Sequence, residues 1–339
     1  MGTVLLCSAV IEQGLLFGLR MQYNRVNVFI VYVGVIYLEL LRLIEGIRTP
    51  FLDAVIGMVT SLGEEAAGVA LFCAILWCID KRVAYGIGVA FFLSGLTVQG
   101  MKVCFRIDRP WVIDPTLRPV PSALGHATGY SFPSGHAQSA AALFGSLGVQ
   151  IKQKPIRAAC FLIAILVAFS RLYLGVHTPI DVVVSLLISF LFAVLAVKAI
   201  VSDVVGKKRE SFIFIAMMLY VAMVAAIAAL LYSGGKIERD YVADCLKATG
   251  AGVGFAFGMY IERTYIDFPV KAKSLPWQII KFAFGFVGIL AIKEGLKMAI
   301  GTGLVADMAR YFLMLAWITV LFPLIIKRLP AFRNCSVSV

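Results

Sequence analysis

The sequence predicts an all-α, polytopic membrane helical bundle, and three observations carry that prediction. Of 339 residues, 61% are hydrophobic and only 15% charged, a balance outside the range of soluble globular domains. Ten apolar runs approach the roughly 20 residues that a helix needs to cross a bilayer. The short segments between them alternate in Lys and Arg content, as expected of a chain threaded back and forth through a membrane.

The runs fall near residues 27–44, 65–79, 83–101, 134–150, 158–176, 179–201, 211–232, 247–262, 279–297 and 308–326. The first carries Glu39 and Arg42 and the ninth carries Lys281, Lys293 and Glu294, so either can lie in the interface as an amphipathic helix. Residues 3–19 have the same ambiguity, and they lack the basic start and small-residue cleavage site of a signal peptide.

Threading the runs alternately puts Asp80-Lys81-Arg82, Lys152–Arg157, Gly206–Glu210, Val270–Lys273 and Lys327–Arg333 on one side. The positive-inside rule makes that side cytoplasmic. The net charge of +12 is then a topological signal, and no basic-aromatic patch points to nucleic acid. Seven cysteines without a CxxC or Cys/His spacing read as lipid-embedded packing residues. Trp77, Trp111, Trp277 and Trp317 fall near run ends, where aromatic belts are expected. A similarity between Gly252–Ile261 and Phe282–Ile292 reads as glycine packing between helices.

The opposite face receives residues 46–64, Lys102–Phe132, the turn around His177, and the loops near 233–246 and 298–307. Three clusters of polar residues gather there. Lys102 and Arg109 are seven apart, two turns of a continuing helix, so they share a face and can reach one anion. The plainer reading is a solvated juxtamembrane collar, which the scarcity of cations expected on the outer side weakens. In Ser131-Phe132-Pro133-Ser134-Gly135-His136, Ser131 is a plausible N-cap and Pro133 suits a first turn. Ser134, Gly135 and His136 then open a helix whose free amides suit a phosphate; a capped helix start with an interfacial His is the alternative. The third cluster holds Arg171, His177, Thr178, Pro179 and Asp181. Thr178 and Pro179 form a helix start, and Asp181, four residues after His177, can accept from one ring nitrogen and leave the other free. The simpler role for Asp181 is service to the helix dipole.

Brought together, the clusters supply three cations, a helix N-terminus and two of the three histidines to one face, a set suited to a multiply charged tetrahedral anion. Their pattern resembles the type 2 phosphatidic acid phosphatase superfamily: Lys102 with Arg109-Pro110, then Pro133-Ser134-Gly135-His136, then Ser170-Arg171 with His177 and Asp181. The resemblance implies a six-helix core over roughly 27–201, within a unit 1–205, followed by a C-terminal transmembrane extension, 206–339, of about four helices. It implies His177 as nucleophile, Asp181 as its orienting partner, and His136 as acid and then base. Lys102, Arg109, Ser134, Gly135 and Arg171 would hold the phosphoryl oxygens. No cofactor and no metal are expected.

The resulting expectation is a metal-independent integral membrane phosphatase acting on a lipid phosphomonoester or pyrophosphate at the extracytoplasmic face through a phosphohistidine. Its partners are the bilayer and a lipid phosphate, its setting a bacterial cytoplasmic membrane, and the sequence carries no signal for an oligomeric state. Polyprenyl pyrophosphates and soluble phosphate esters stay open as substrates, as does transfer to an acceptor other than water. A non-catalytic anionic-lipid transporter or scaffold is the alternative of another class. The haloperoxidase branch is disfavoured because its members are soluble. Glu64 and Glu65 can border the pocket or face water, with water preferred; His126 is expected to be a surface or substrate-adjacent histidine, and Arg310 a headgroup anchor.

Overall fold

A computed structural model describes residues 25–125, 127–200 and 207–332, which places residues 3–19 and His126 outside the described residues. The elements are helical throughout: α1 (Arg25–Gly46), α2 (Pro50–Ser61), α3 (Glu65–Ala74) with a π turn to Ile79, α4 (Lys81–Phe105), and the single turns α5 (Pro110–Ile113) and α6 (Pro121–Leu124). They continue as α7 (Gly135–Gln150), α8 (Lys154–Tyr173), α9 (Pro179–Ile200), α10 (Lys207–Ser233) and α11 (Arg239–Ile261) with a π turn to Ile266. The chain closes with α12 (Leu275–Ile300), α13 (Leu304–Ala316) with a π turn to Leu321, and α14 (Phe322–Arg328).

Each of the ten apolar runs is a helix. Six helices among the described residues are long and apolar enough to span a bilayer, and the α2–α3 pair, bent by 47°, brings the number to seven where the pair is taken as one span. Helix α2 is the element that the sequence reading leaves as loop. Its start is nonetheless written locally: Thr49 caps it by accepting from Leu52 N, and Pro50 sits at the first position.

Helix α4 is the hub, packed by α7 and α9 and by α10 and α11 of the C-terminal half. Small residues let these helices approach. Ala137, Ala140, Ala141 and Ala142 of α7 are fully buried, and Gly145 and Gly148 receive the rings of Phe190 and Phe161. On the other side, Phe255 of α11 stacks on Phe92 with ring centroids 4.6 Å apart and meets the edge of Phe72. The glycines of the two similar segments act as expected: Gly254 lies against Phe312 and Leu315, and Gly285 against Trp77 and Phe322. Leu187, Leu191, Phe212, Leu219 and Leu230 point outward, as a lipid-facing surface requires.

Two sequence expectations are corrected here. Trp77 is fully buried and donates to Ile318 O, and Trp317 donates to Gly285 O, so these two are helix-packing residues whose N–H finds a carbonyl across the contact. Arg310 is also buried, paired with Asp307, because the carboxylate one turn earlier keeps it inside. At the end of the bundle that carries residues 80–82, Lys81 Nζ meets Glu262 Oε1 at 3.1 Å, Asp267, and the carbonyl of Phe268. Arg263 pairs with Glu210 at 2.8 Å beside it. The polar clusters of interest occupy the other end.

Candidate active site

Helix α4 delivers Lys102 one turn before its end. The chain then leaves the helix through Arg106, whose φ of 54° is left-handed, and Arg109 stands in extended backbone as the cap of α5. Lys102 and Arg109 therefore do not share a face of one continuing helix. They converge because the loop 128–130 folds between them: Lys102 Nζ donates to Tyr130 O, Arg109 Nε to Gly129 O at 3.0 Å, and Arg109 Nη2 to Thr128 O at 2.6 Å. Arg109 Nη1 donates to Val176 O at 3.0 Å and lies 2.9 Å from His177 Nε2.

Ser134, not Ser131, caps α7, its hydroxyl accepting from Ala137 N, with Gly135 as the first helical residue. Ser131 serves the other helix start instead, where its Oγ donates to Asp181 Oδ2 at 2.6 Å. The same carboxylate oxygen accepts from Thr178 N at 2.7 Å, half of a capping box at the start of α9, and lies 3.4 Å from His177 Nδ1. Ser134 N donates to Asp181 O at 3.1 Å, tying the start of α7 to the start of α9.

His177 is 2% exposed. Burial, followed by the neighbouring charges of Arg109, Lys102, Arg171 and His136, holds its imidazole well below the usual histidine range. With Nδ1 toward the carboxylate, the neutral ring presents the Nε2 lone pair to the Arg109 side. This neutral imidazole is a poor base for bulk protons.

Arg171, at the end of α8, donates from Nη1 to Thr60 Oγ1 of α2 at 2.7 Å. Among the described residues its Nε and Nη2 are buried without a hydrogen-bond partner, donors suited to an anion. Lys102, Arg109, Gly135, His136 and His177 line one cavity of about 590 Å³. Arg171 borders an adjoining cavity of about 110 Å³ with Thr60, Glu64 and Ser122. Ser134 and Asp181 stand behind the wall, fully buried.

The large cavity has a second half that sequence reasoning missed. Tyr241, Asp244, Lys247 and Tyr311 of the C-terminal half close it, while Glu64 and Glu65 also border the cavity, the less favoured of the two positions the sequence allows them. The carbonyls of 128–130 and the hydroxyl of Thr60 were equally unforeseen. Carbonyl acceptors have no sequence signature, and Thr60 belongs to the helix that was not anticipated.

Fold and site define a multi-pass helical membrane protein with a pocket at one end of the bundle lined by Lys102, Arg109, His136 and His177. Comparison with known families agrees: residues 83–204 match the PAP2 superfamily, and residues 246–333 match the PAP2 superfamily phosphatase transmembrane extension. The chain belongs to the PAP2 superfamily. It is 30% identical over 203 residues to a probable sphingosine-1-phosphate phosphatase of Dictyostelium discoideum, a match covering 54% of this chain and 47% of that protein, so it spans about half that relative's length. It is 29% identical over 152 residues to phosphatidylglycerophosphatase B of Bacillus subtilis, covering 40% of this chain and 69% of the relative. It is 27% identical over 166 residues to the undecaprenyl-diphosphatase BcrC of the same organism, covering 45% and 81%. A solved PAP2-type phosphatidylglycerolphosphate phosphatase from Bacillus subtilis aligns with a TM-score of 0.43 at 23% identity, covering 49% of this chain and 84% of that one.

Proposed function

We propose that the protein is a membrane phosphatase hydrolysing a lipid phosphomonoester or pyrophosphate, with residues 1–205 as the catalytic unit. The observation that carries this reading is one buried imidazole held between a guanidinium and a carboxylate: His177 Nε2 lies 2.9 Å from Arg109 Nη1, and Nδ1 lies 3.4 Å from Asp181 Oδ2. In the first step Nε2 attacks phosphorus in line, an N–P bond forms, the ester P–O bond breaks, and His136 gives its proton to the leaving oxygen. In the second, His136 takes a proton from water, the water oxygen bonds to phosphorus, and the N–P bond breaks. Asp181 steadies the Nδ1 proton in both. Lys102, Arg109 and Arg171, with the α7 N-terminus at Ser134 and Gly135, stabilise the equatorial oxygens as charge develops. The scheme asks nothing of a metal.

A cavity of about 590 Å³ is in the range that encloses a whole small ligand, and its lining joins cations to Phe91, Phe92, Leu96 and Leu315. Such a lining suits an amphiphile whose phosphate meets the cations while apolar parts meet the rings. The relatives' names, which include a sphingoid phosphate, a glycerophospholipid phosphate and a polyprenyl diphosphate, fit the same class. The cationic loops at the other end support placing the site on the extracytoplasmic face of the membrane.

Purified protein should release orthophosphate from members of a lipid phosphate panel with EDTA present, and His177→Ala should abolish release while phosphate binding persists. Turnover by His177→Ala at the unaltered rate, or release that depends on a divalent cation, overturns the mechanism. Vanadate is expected to compete with substrate.

A further inference from the structure

The C-terminal extension carries none of the motif residues, yet one of its side chains stacks on a residue whose carbonyl accepts from a pocket cation. Tyr241, in the first turn of α11, stacks face to face on Tyr130 with ring centroids 4.1 Å apart and planes 18° from parallel. Tyr130 is not a remote neighbour of the site, because its carbonyl accepts from Lys102 Nζ. The residue before it, Gly129, gives its carbonyl to Arg109 Nε. Gly129 has a φ of 69°, and a Cβ built there would stand 3.7 Å from Tyr241 Cδ1. The Tyr241 ring therefore lies along both residues of the loop whose carbonyls fix Lys102 and Arg109, on the same side as the cavity that both tyrosines line.

No regular element holds that loop in place. Residues 127–134 form neither helix nor strand, and the left-handed glycine among them is cheap to flip. Helix α11 is by contrast well fixed, with Val242 and Cys245 buried against Leu96 and Val103 of α4 and Val221 and Val224 of α10. The Tyr241 ring is mounted on this frame and stacks on Tyr130 of the loop. A stacked aromatic pair contributes roughly 0.5–1.5 kcal/mol beyond its burial.

We propose that Tyr241 of the extension is a positioning residue for the phosphoryl pocket, orienting Lys102 and Arg109 by clamping residues 129 and 130 through its stack on Tyr130. The extension is then part of the phosphoryl site and not an independent membrane anchor. The inference rests on the pocket binding a phosphoryl group, as proposed above.

The test measures orthophosphate and vanadate binding directly by calorimetry on the full-length protein in detergent, with substrate hydrolysis and thermal unfolding recorded separately. Tyr241→Phe keeps the stack and should match the unaltered protein. Tyr241→Ala should weaken binding of both anions about tenfold and raise KM. Val242→Ala, on the adjacent face of the same helix, should lower the unfolding temperature without changing anion affinity. Equal affinity in Tyr241→Ala and the unaltered protein overturns the proposal, and so does an equal loss in Val242→Ala, which would make the effect one of helix stability. If Tyr241→Ala does not fold, Tyr241→Leu, which preserves bulk but not the flat ring, is read by the same criteria. An unaltered protein that binds phosphate but hydrolyses no lipid phosphate sinks the enzymatic reading and leaves the clamp standing. Failure of the unaltered protein to bind either anion sinks both.

Discussion

Arg109 Nη1 lies 2.9 Å from His177 Nε2 while the same guanidinium holds the carbonyls of Thr128, Gly129 and Val176. Three hydrogen bonds to carbonyls from one planar fork, in addition to the histidine contact, make this side chain a rigid donor beside the nitrogen proposed to attack phosphorus. Lys offers a point charge on a flexible stem and cannot reproduce that fork. Arg109→Lys is expected to lower kcat/KM by about 10²-fold or more, the scale of losing one preorganised donor. Retention of a tenth or more of the activity would show that charge alone suffices.

The pH dependence follows from His177. In the folded protein its pKa is depressed by burial and by the surrounding cations, whereas in the unfolded chain it lies near about 6.5. Above that value the ring is neutral in both states and contributes no pH dependence. As pH falls through about 6.5 the unfolded chain takes up a proton that the native state does not, so stability declines with acidification until the native pKa is reached. His177→Gln removes this contribution. Thermal unfolding in detergent should therefore fall more steeply in the unaltered protein than in His177→Gln between about pH 7 and pH 5. Parallel curves would count against a neutral buried imidazole.

At the opposite end, Glu262 is fully buried, its Oε1 accepting from Lys81 Nζ and Phe268 N. Removing the ammonium would strand a carboxylate inside the bundle, and breaking a buried pair from one side costs about 3–5 kcal/mol. Lys81→Met should lower stability on that scale, and Lys81→Met with Glu262→Gln should recover much of the loss. A single variant as stable as the unaltered protein would mean the pair is solvated.

The sequence made the helices legible because each lipid-facing run is long and apolar, and the site legible because its side chains sit at fixed spacings at three helix ends. The first assignment failed where the carrier is not a hydrophobic run. Helix α2 has only 12 residues, too short to register as a span, although it brings Thr60 to Arg171. The site reading failed where backbone does the work. The spacing of Lys102 and Arg109 suggested a common helix face, whereas Arg106 ends the helix and carbonyls of the 128–130 loop gather the two cations. Tyr241 carries no local signal at all, because its importance lies in a contact with a residue 111 positions earlier.

The packing of the extension can be tested through its glycines. Gly250, Gly254 and Gly258 are four apart, so they lie on one face of α11, and all three meet the segment 308–320. A Cβ at Gly250 would overlap the carbonyl oxygen of Met308, and one at Gly258 would overlap Thr319 Oγ1. The first obstacle is backbone, which cannot rotate away, so α11 and α13 must separate. The second is a short side chain with little freedom. Gly250→Ala and Gly258→Ala should each destabilise the protein by about 1–3 kcal/mol, the usual range for overpacking, with Gly250→Ala the more severe. Gly295→Ala is the control: nothing lies within 4 Å of a Cβ there, and the added methyl favours the helix. Unfolding temperatures that fall for the first two and hold or rise for the third are the expected pattern. Equal values for all three would mean that α11 and α13 are not in close backbone contact.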